Sequence, residues 1–238
     1  MPTVIVMPGT GSDADFAARV FGTAAPAAGA RLVALEPESD LVGGYRRQLD
    51  EFAADSDEVI VGGISIGAVI ALDWVLQSPL ADRCTGVLAA LPPWTGAPGD
   101  CMAALSARLT ADSVERDGLE PTIASMIATS PAWLADELSR SWRALASRGL
   151  VGQLRAAAGH TAPNLDQLAA LPVPVGIAVA PDDPLHPAAV GRAWAHAAPH
   201  AAVREVPLTE FGLAEHLLGE ACLTAWRAAS SAATPAEP

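Results

Sequence analysis

Short apolar runs rich in β-branched residues alternate, along the first ninety positions, with stretches whose apolar residues recur every three or four places. The runs at 3–7, 31–35, 59–61 and 86–91 predict strands. The periodic stretches at 14–28 and 45–54, and the set Ile66, Val69, Ile70, Trp74 and Val75, predict helices, the first capped by Ser12 or Asp13. This β-α-β-α-β-α-β order implies a parallel sheet covered on both faces. After residue 91 the pattern changes. Pro92-Pro93-Trp94-Thr95-Gly96-Ala97-Pro98-Gly99 is a loop, and up to about residue 171 only helical spacing recurs, in 102–110, 113–115, 121–128, 132–147 and 151–158. Alternation resumes with a strand at 173–180, a helix at 188–198, a strand at 202–206 and a final helix over about 213–228. The predicted fold is α/β, a mostly parallel doubly wound sheet built from residues 1–93 and 172–238. An all-helical insertion, 94–171, lies over the sheet's carboxyl edge. No internal repeat is present.

The stretch from Asp57 to Leu76 organises the rest. A buried strand leads through Gly63-Ile64-Ser65-Ile66-Gly67 into a helix. A G-x-S-x-G turn between strand and helix forces the serine into a strained backbone, and a glycine two positions to either side lets neighbouring backbones approach. The hydroxyl is then exposed at a helix N-terminus, where a positive helix end and nearby amides stabilise an oxyanion. Ser65 is therefore the candidate nucleophile, against the alternative of an inert serine in a glycine-rich turn.

Composition narrows the partners. The 238-residue chain is 51% hydrophobic, enough for one large core, and carries a net charge of −13 with a pI near 4.6. Such a charge repels a nucleic-acid backbone or an anionic membrane, so a small-molecule substrate is expected instead. Three cysteines, Cys84, Cys101 and Cys222, have no paired spacing, which argues against a disulfide framework or a zinc site and fits a cytoplasmic setting. The N-terminus has no basic segment, and no window holds about twenty uninterrupted apolar residues, so neither a signal peptide nor a membrane span is expected. The Ala/Pro/Ser tail after Ala228 is expected to fray.

The order of parts resembles the α/β-hydrolase superfamily across nearly the whole chain, with a serine turn after the third recognisable strand and a helical cap after the next. The resemblance implies a triad in the chain order Ser, Asp or Glu, His. For the acid it nominates Asp183 in Pro181-Asp182-Asp183-Pro184, with Asp182 as the alternative one residue away and Asp100 as another from the preceding strand's loop. For the base it nominates His216, the one histidine after the last strand, although family members usually carry a glycine-histidine pair nearer that strand. His186 is the alternative, reaching the site from the acid's own loop. The amides of Thr10, in Pro8-Gly9-Thr10, and of Ile66 would form the oxyanion hole. The implied activity is cleavage of an ester or thioester of a hydrophobic substrate through an acyl-enzyme, with no metal or organic cofactor. Trp94, Met102, Met126, Trp133 and Trp142 of the cap are the candidate substrate contacts, although Trp133 and Trp142 also suit plain packing.

Two other classes compete. Gly9-Thr10-Gly11-Ser12-Asp13-Ala14 satisfies the dinucleotide pattern G-x-G-x-x-A through Gly9, Gly11 and Ala14, and Glu36 ends the next strand where a ribose-binding acid would sit. Asp13 and Asp15, however, put two negative charges where a diphosphate would bind. A hydrolase-like protein that binds a ligand without turning it over is the third class. The substrate's identity and the oligomeric state are not encoded in any motif.

Overall fold

The computed structural model describes residues 1–233. Six strands form one wholly parallel sheet among them: β1 (Thr3–Met7), β2 (Arg31–Ala34), β3 (Val59–Ile64), β4 (Cys84–Ala90), β5 (Val175–Val179) and β6 (Ala201–Glu205), in the order β2-β1-β3-β4-β5-β6. Burial explains the sequence pattern. β1, β3 and β5 are buried at every position, so they read as continuous apolar runs, while β2 and β6 lie at the edges and are partly exposed.

Helices α1 (Ala14–Phe21) and α2 (Ala24–Ala27) follow β1, α3 (Leu41–Ala54) follows β2, and α4 (Ile66–Gln77) follows β3. The segment between β4 and β5 holds α5 (Met102–Asp117), α6 (Leu119–Thr129), α7 (Ala132–Ala146), α8 (Leu150–Gly159) and α9 (Leu165–Leu168). α10 (Ala188–Ala197) joins β5 to β6, and α11 (Leu208–Phe211) and α12 (His216–Ala233) close the chain. Two cores flank the sheet. Phe16, Val20, Phe21 and Leu218, from α1 and α12, fill one face, and Tyr45, Leu49, Trp74 and Trp194, from α3, α4 and α10, fill the other. Burying one such side chain contributes about 1.5–3 kcal/mol, so uncovering either face of the sheet would cost more than the fold's net stability. α4 is buried from Ile66 to Val75, including the polar Asp73, whose carboxylate is matched by His160 Nε2 at 2.7 Å and Arg46 at 3.7 Å.

Several boundaries differ from the sequence pattern for local reasons. The predicted 14–28 helix breaks at Gly22 and Thr23 into α1 and α2. α3 begins at Leu41, ahead of two glycines, because the Asp40 carboxylate accepts the Gly43 amide at 3.1 Å and caps it. α5 runs unbroken to Asp117, absorbing the separate 113–115 element, and stops at Gly118 with φ +91°. α12 continues to Ala233, past the predicted end at 228, so the expected fraying does not begin there; the rest of that tail lies outside the described residues. The three cysteines are free, and burial pushes the Cys84 thiol up to about 11 and that of Cys222 higher still. Among the described residues no helix is long and apolar enough to cross a membrane.

Candidate active site

From β1 the chain passes to β2 on one side and to β3 on the other, so strand order reverses between β1 and β3. In an open parallel sheet, ligands bind outside the carboxyl ends of strands at such a point. Two turns flank it here, Gly9–Ser12 after β1 and Ser65 after β3.

Ser65 has φ 54° and ψ −114°, an unfavourable backbone for a residue with a Cβ, held by its amide bonding to Ala90 O at 2.9 Å. Leu91, beside that carbonyl, is the other non-glycine residue with positive φ among the described residues, at 50°. Glycines make the bend possible. A Cβ on Gly63 would lie 2.6 Å from the Gly67 carbonyl carbon, and one on Gly67 would lie 2.5 Å from Met7 O. Both obstructions are backbone. Gly67→Ala is therefore expected to destabilise the fold by about 1–3 kcal/mol, read as a lower urea midpoint. Gly152→Ala in α8, where an added Cβ meets nothing within 4 Å, is expected to hold or raise the midpoint.

His186 Nε2 lies 3.0 Å from Ser65 Oγ, and His186 Nδ1 lies 2.8 Å from Asp183 Oδ2. The acid and the imidazole therefore come from one loop, three residues apart. The other oxygen, Asp183 Oδ1, accepts the amides of Leu185 at 2.7 Å and His186 at 3.2 Å, folding the loop back so that the ring meets the carboxylate. Burial opposes ionisation of Asp183, but the His186 ring and those two amides outweigh it and hold the carboxyl below its usual range.

His216 is not at Ser65, which corrects the expectation drawn from chain order. The segment after β6 coils at once into α11, whose Phe211 packs edge-on against Trp133 with ring centroids 5.7 Å apart. His216 then starts α12 outside the cleft, beside Glu215, which is bound to Arg19. Asp182 points the other way and accepts the Leu208 amide at 2.6 Å, and Asp100 is fully exposed near Arg108. The signal for His186 was present in Asp183-Pro184-Leu185-His186: an aspartate that opens a turn brings the residue three places on back to its own side chain.

Thr10 lies in the turn beside Ser65, closed by Ser12 N bonding to Gly9 O at 3.1 Å. Ile66 is the first residue of α4, so helix geometry leaves its amide without an intrahelical partner. The dinucleotide pattern is occupied differently. The Asp13 carboxylate caps α1 through the Phe16 amide at 3.3 Å and is gripped by Arg140, so the helix end a diphosphate would need already holds an anion. Glu36 pairs with Arg148 at 3.4 Å.

Ser65 and His186 open into a cleft of about 890 Å³, within the size range of small-molecule sites. The inserted helices form much of its wall, and Trp94, Met102, Met126, Trp133 and Trp142 all line it. Trp94 and Trp142 are themselves 5% exposed, so they pack and line at once. The charged wall residues are matched within the protein: Arg116 by Asp117 at 2.6 Å, and Glu137 by Arg140 at 2.7 Å and by Arg19. Among the described residues no group of three or more His, Cys, Asp or Glu side chains is gathered as a metal site requires.

No protein-family model matches the sequence, and no curated protein matches it. Solved structures do share the fold. Rv0554 from Mycobacterium tuberculosis superposes with a TM-score of 0.69 at 19% identity, over 95% of this chain and 90% of that one. MenH from S. aureus gives 0.70 at 12%, over 96% and 94%. A thermophilic esterase from Thermogutta terrifontis gives 0.66 at 16%, over 87% and 81%.

Proposed function

The chain has the α/β-hydrolase fold, and on that fold we propose a serine hydrolase that cleaves an ester or thioester through an acyl-enzyme. The observation carrying the reading is the unbroken series of contacts from Ser65 Oγ through the His186 ring to Asp183. As Ser65 Oγ attacks the substrate carbonyl, His186 Nε2 takes its proton. Asp183 holds the proton on Nδ1 and stabilises the imidazolium that forms. The Thr10 and Ile66 amides bind the tetrahedral oxyanion. His186 then gives the proton to the leaving alcohol or thiol, and water, deprotonated by the same nitrogen, releases the acid and restores Ser65. The scheme uses neither metal nor organic cofactor.

Residues 94–171 act as a cap in this reading, with residues 1–93 and 172–233 as the hydrolase core; the last five positions of the expected 172–238 segment lie outside the described residues. An apolar wall whose charges are already paired favours a small, uncharged, hydrophobic acyl or alcohol group. Three free cysteines support a cytoplasmic location. Incubation with a fluorophosphonate probe is expected to place one label on the peptide carrying Ser65, and Ser65→Ala is expected to take none. A label that persists in Ser65→Ala, or none on the native protein, would sink the reading.

A further inference from the structure

The cap helix α7 presents three consecutive residues to the turn that carries Thr10. Arg140 donates to both carboxylate oxygens of Asp13, at 2.7 and 2.9 Å. Ser141, fully buried, donates from Oγ to Gly11 O at 2.8 Å, a better partner for its single proton than Leu138 O at 3.4 Å. The indole of Trp142 covers Gly11, where a Cβ would lie 2.8 Å from Nε1. From these contacts we infer that Arg140 and Ser141 are positioning residues for the oxyanion hole. The inference rests on the hydrolase reading above.

The path from Ser141 to the reacting oxygen is short and made of peptide groups. Ser141 Oγ fixes the carbonyl of the Gly11–Ser12 peptide, and the amide of that same peptide bonds to Gly9 O. Gly9 O belongs to the Gly9–Thr10 peptide, whose trans geometry sends the Thr10 N–H in the opposite direction. One hydroxyl on the cap thus sets the orientation of the donor two peptide planes away, and each bond in such a chain polarises the next. The turn needs this support. Gly11 has φ +75° at the third position, a type II geometry that a glycine can leave at little cost. Arg140 anchors the far side through Asp13, whose carboxyl is opposed by burial but held below its usual range by the guanidinium and the Phe16 amide.

Ser141→Ala removes one oxygen and Arg140→Ala the guanidinium that pairs with Asp13, Asp15 and Glu137; both are compared with native protein on a short-chain nitrophenyl ester. The expected result is a fall in kcat of about 10- to 100-fold with KM within about twofold, because a misplaced donor weakens transition-state binding and leaves substrate binding alone. Affinity for an alkyl trifluoromethyl ketone, which adds to Ser65 as a tetrahedral adduct, should fall by the same factor, while affinity for the isosteric alcohol stays unchanged. Arg140→Lys, which supplies a point charge in place of a fork, should recover part of the loss. Unchanged kcat in Ser141→Ala, or a loss confined to KM, overturns the inference, and Ser141→Ala decides alone if Arg140→Ala does not fold. Native protein whose turnover does not depend on Ser65 would remove the hydrolase reading as well, a result distinguishable from failure of the clamp alone.

Discussion

Changing His186 to alanine is expected to lower kcat/KM for a short-chain ester by on the order of 10⁴-fold, while His216→Ala leaves it within about twofold. The asymmetry follows from position. His186 Nε2 is in hydrogen-bond contact with Ser65 Oγ, whereas His216 begins α12 outside the cleft. Without an acceptor the serine hydroxyl attacks as a weak nucleophile, and the leaving group departs unprotonated. Added imidazole is expected to restore part of the rate to His186→Ala and none to a His186→Ala/Ser65→Ala double variant. Steady-state kinetics on the two single variants, with thermal midpoints as the check on folding, decides the matter. Equal losses from both histidines would sink the assignment.

Asp183→Asn is expected to cost about 10³–10⁴-fold in kcat with little change in KM, against less than about threefold for Asp182→Asn. The amide oxygen of an asparagine can still accept the Leu185 and His186 amides that Asp183 Oδ1 takes, so the loop keeps its shape. Its NH₂ group would then face His186 Nδ1 and drive the ring to the tautomer with the proton on Nε2, where it points at Ser65 and blocks proton transfer. Asp182 instead ties the loop to α11 through Leu208, a contact that touches no reacting group. The pH profile separates the roles further. The neutral imidazole is the competent form, and acid that protonates it lowers the rate, while Asp183, held below the usual carboxylate range by the His186 ring and two amides, resists protonation. Stability is lost in the same direction: a depressed carboxyl contributes above its unfolded value of about 3.9 and loses that contribution as pH falls through the folded one.

The sheet was legible because its central strands are buried on both faces and read as apolar runs, and the bend at Ser65 because only glycines fit where Gly63 and Gly67 pack on neighbouring backbone. The inserted helices were legible as helices, but not their ends, since 113–115 and 102–110 are joined by residues of weak periodicity. His186 was harder to place. Chain order favours a histidine after the last strand, and nothing in the spacing around His216 reveals that α11 forms first and turns Phe211 inward instead. What decides is a turn of four residues, Asp183 to His186, whose local hydrogen bonds outrank the long-range order of elements. The grip of α7 on the Gly9–Ser12 turn joins residues about 130 positions apart, as in Ser141 to Gly11, and no short motif encodes such a contact.

In the proposed mechanism, mounting both proton-handling groups on the loop after β5 also changes what the sheet's margin has to do. β6 is a border strand, partly exposed over Ala201–Glu205, and segments with fewer buried contacts open more readily in native fluctuations than core strands. A histidine carried beyond such a strand would lose its alignment each time that margin breathed. Here the relay hangs from an interior strand paired on both sides, so the C-terminal margin can loosen, or accept substitutions and insertions, while the proton path stays assembled.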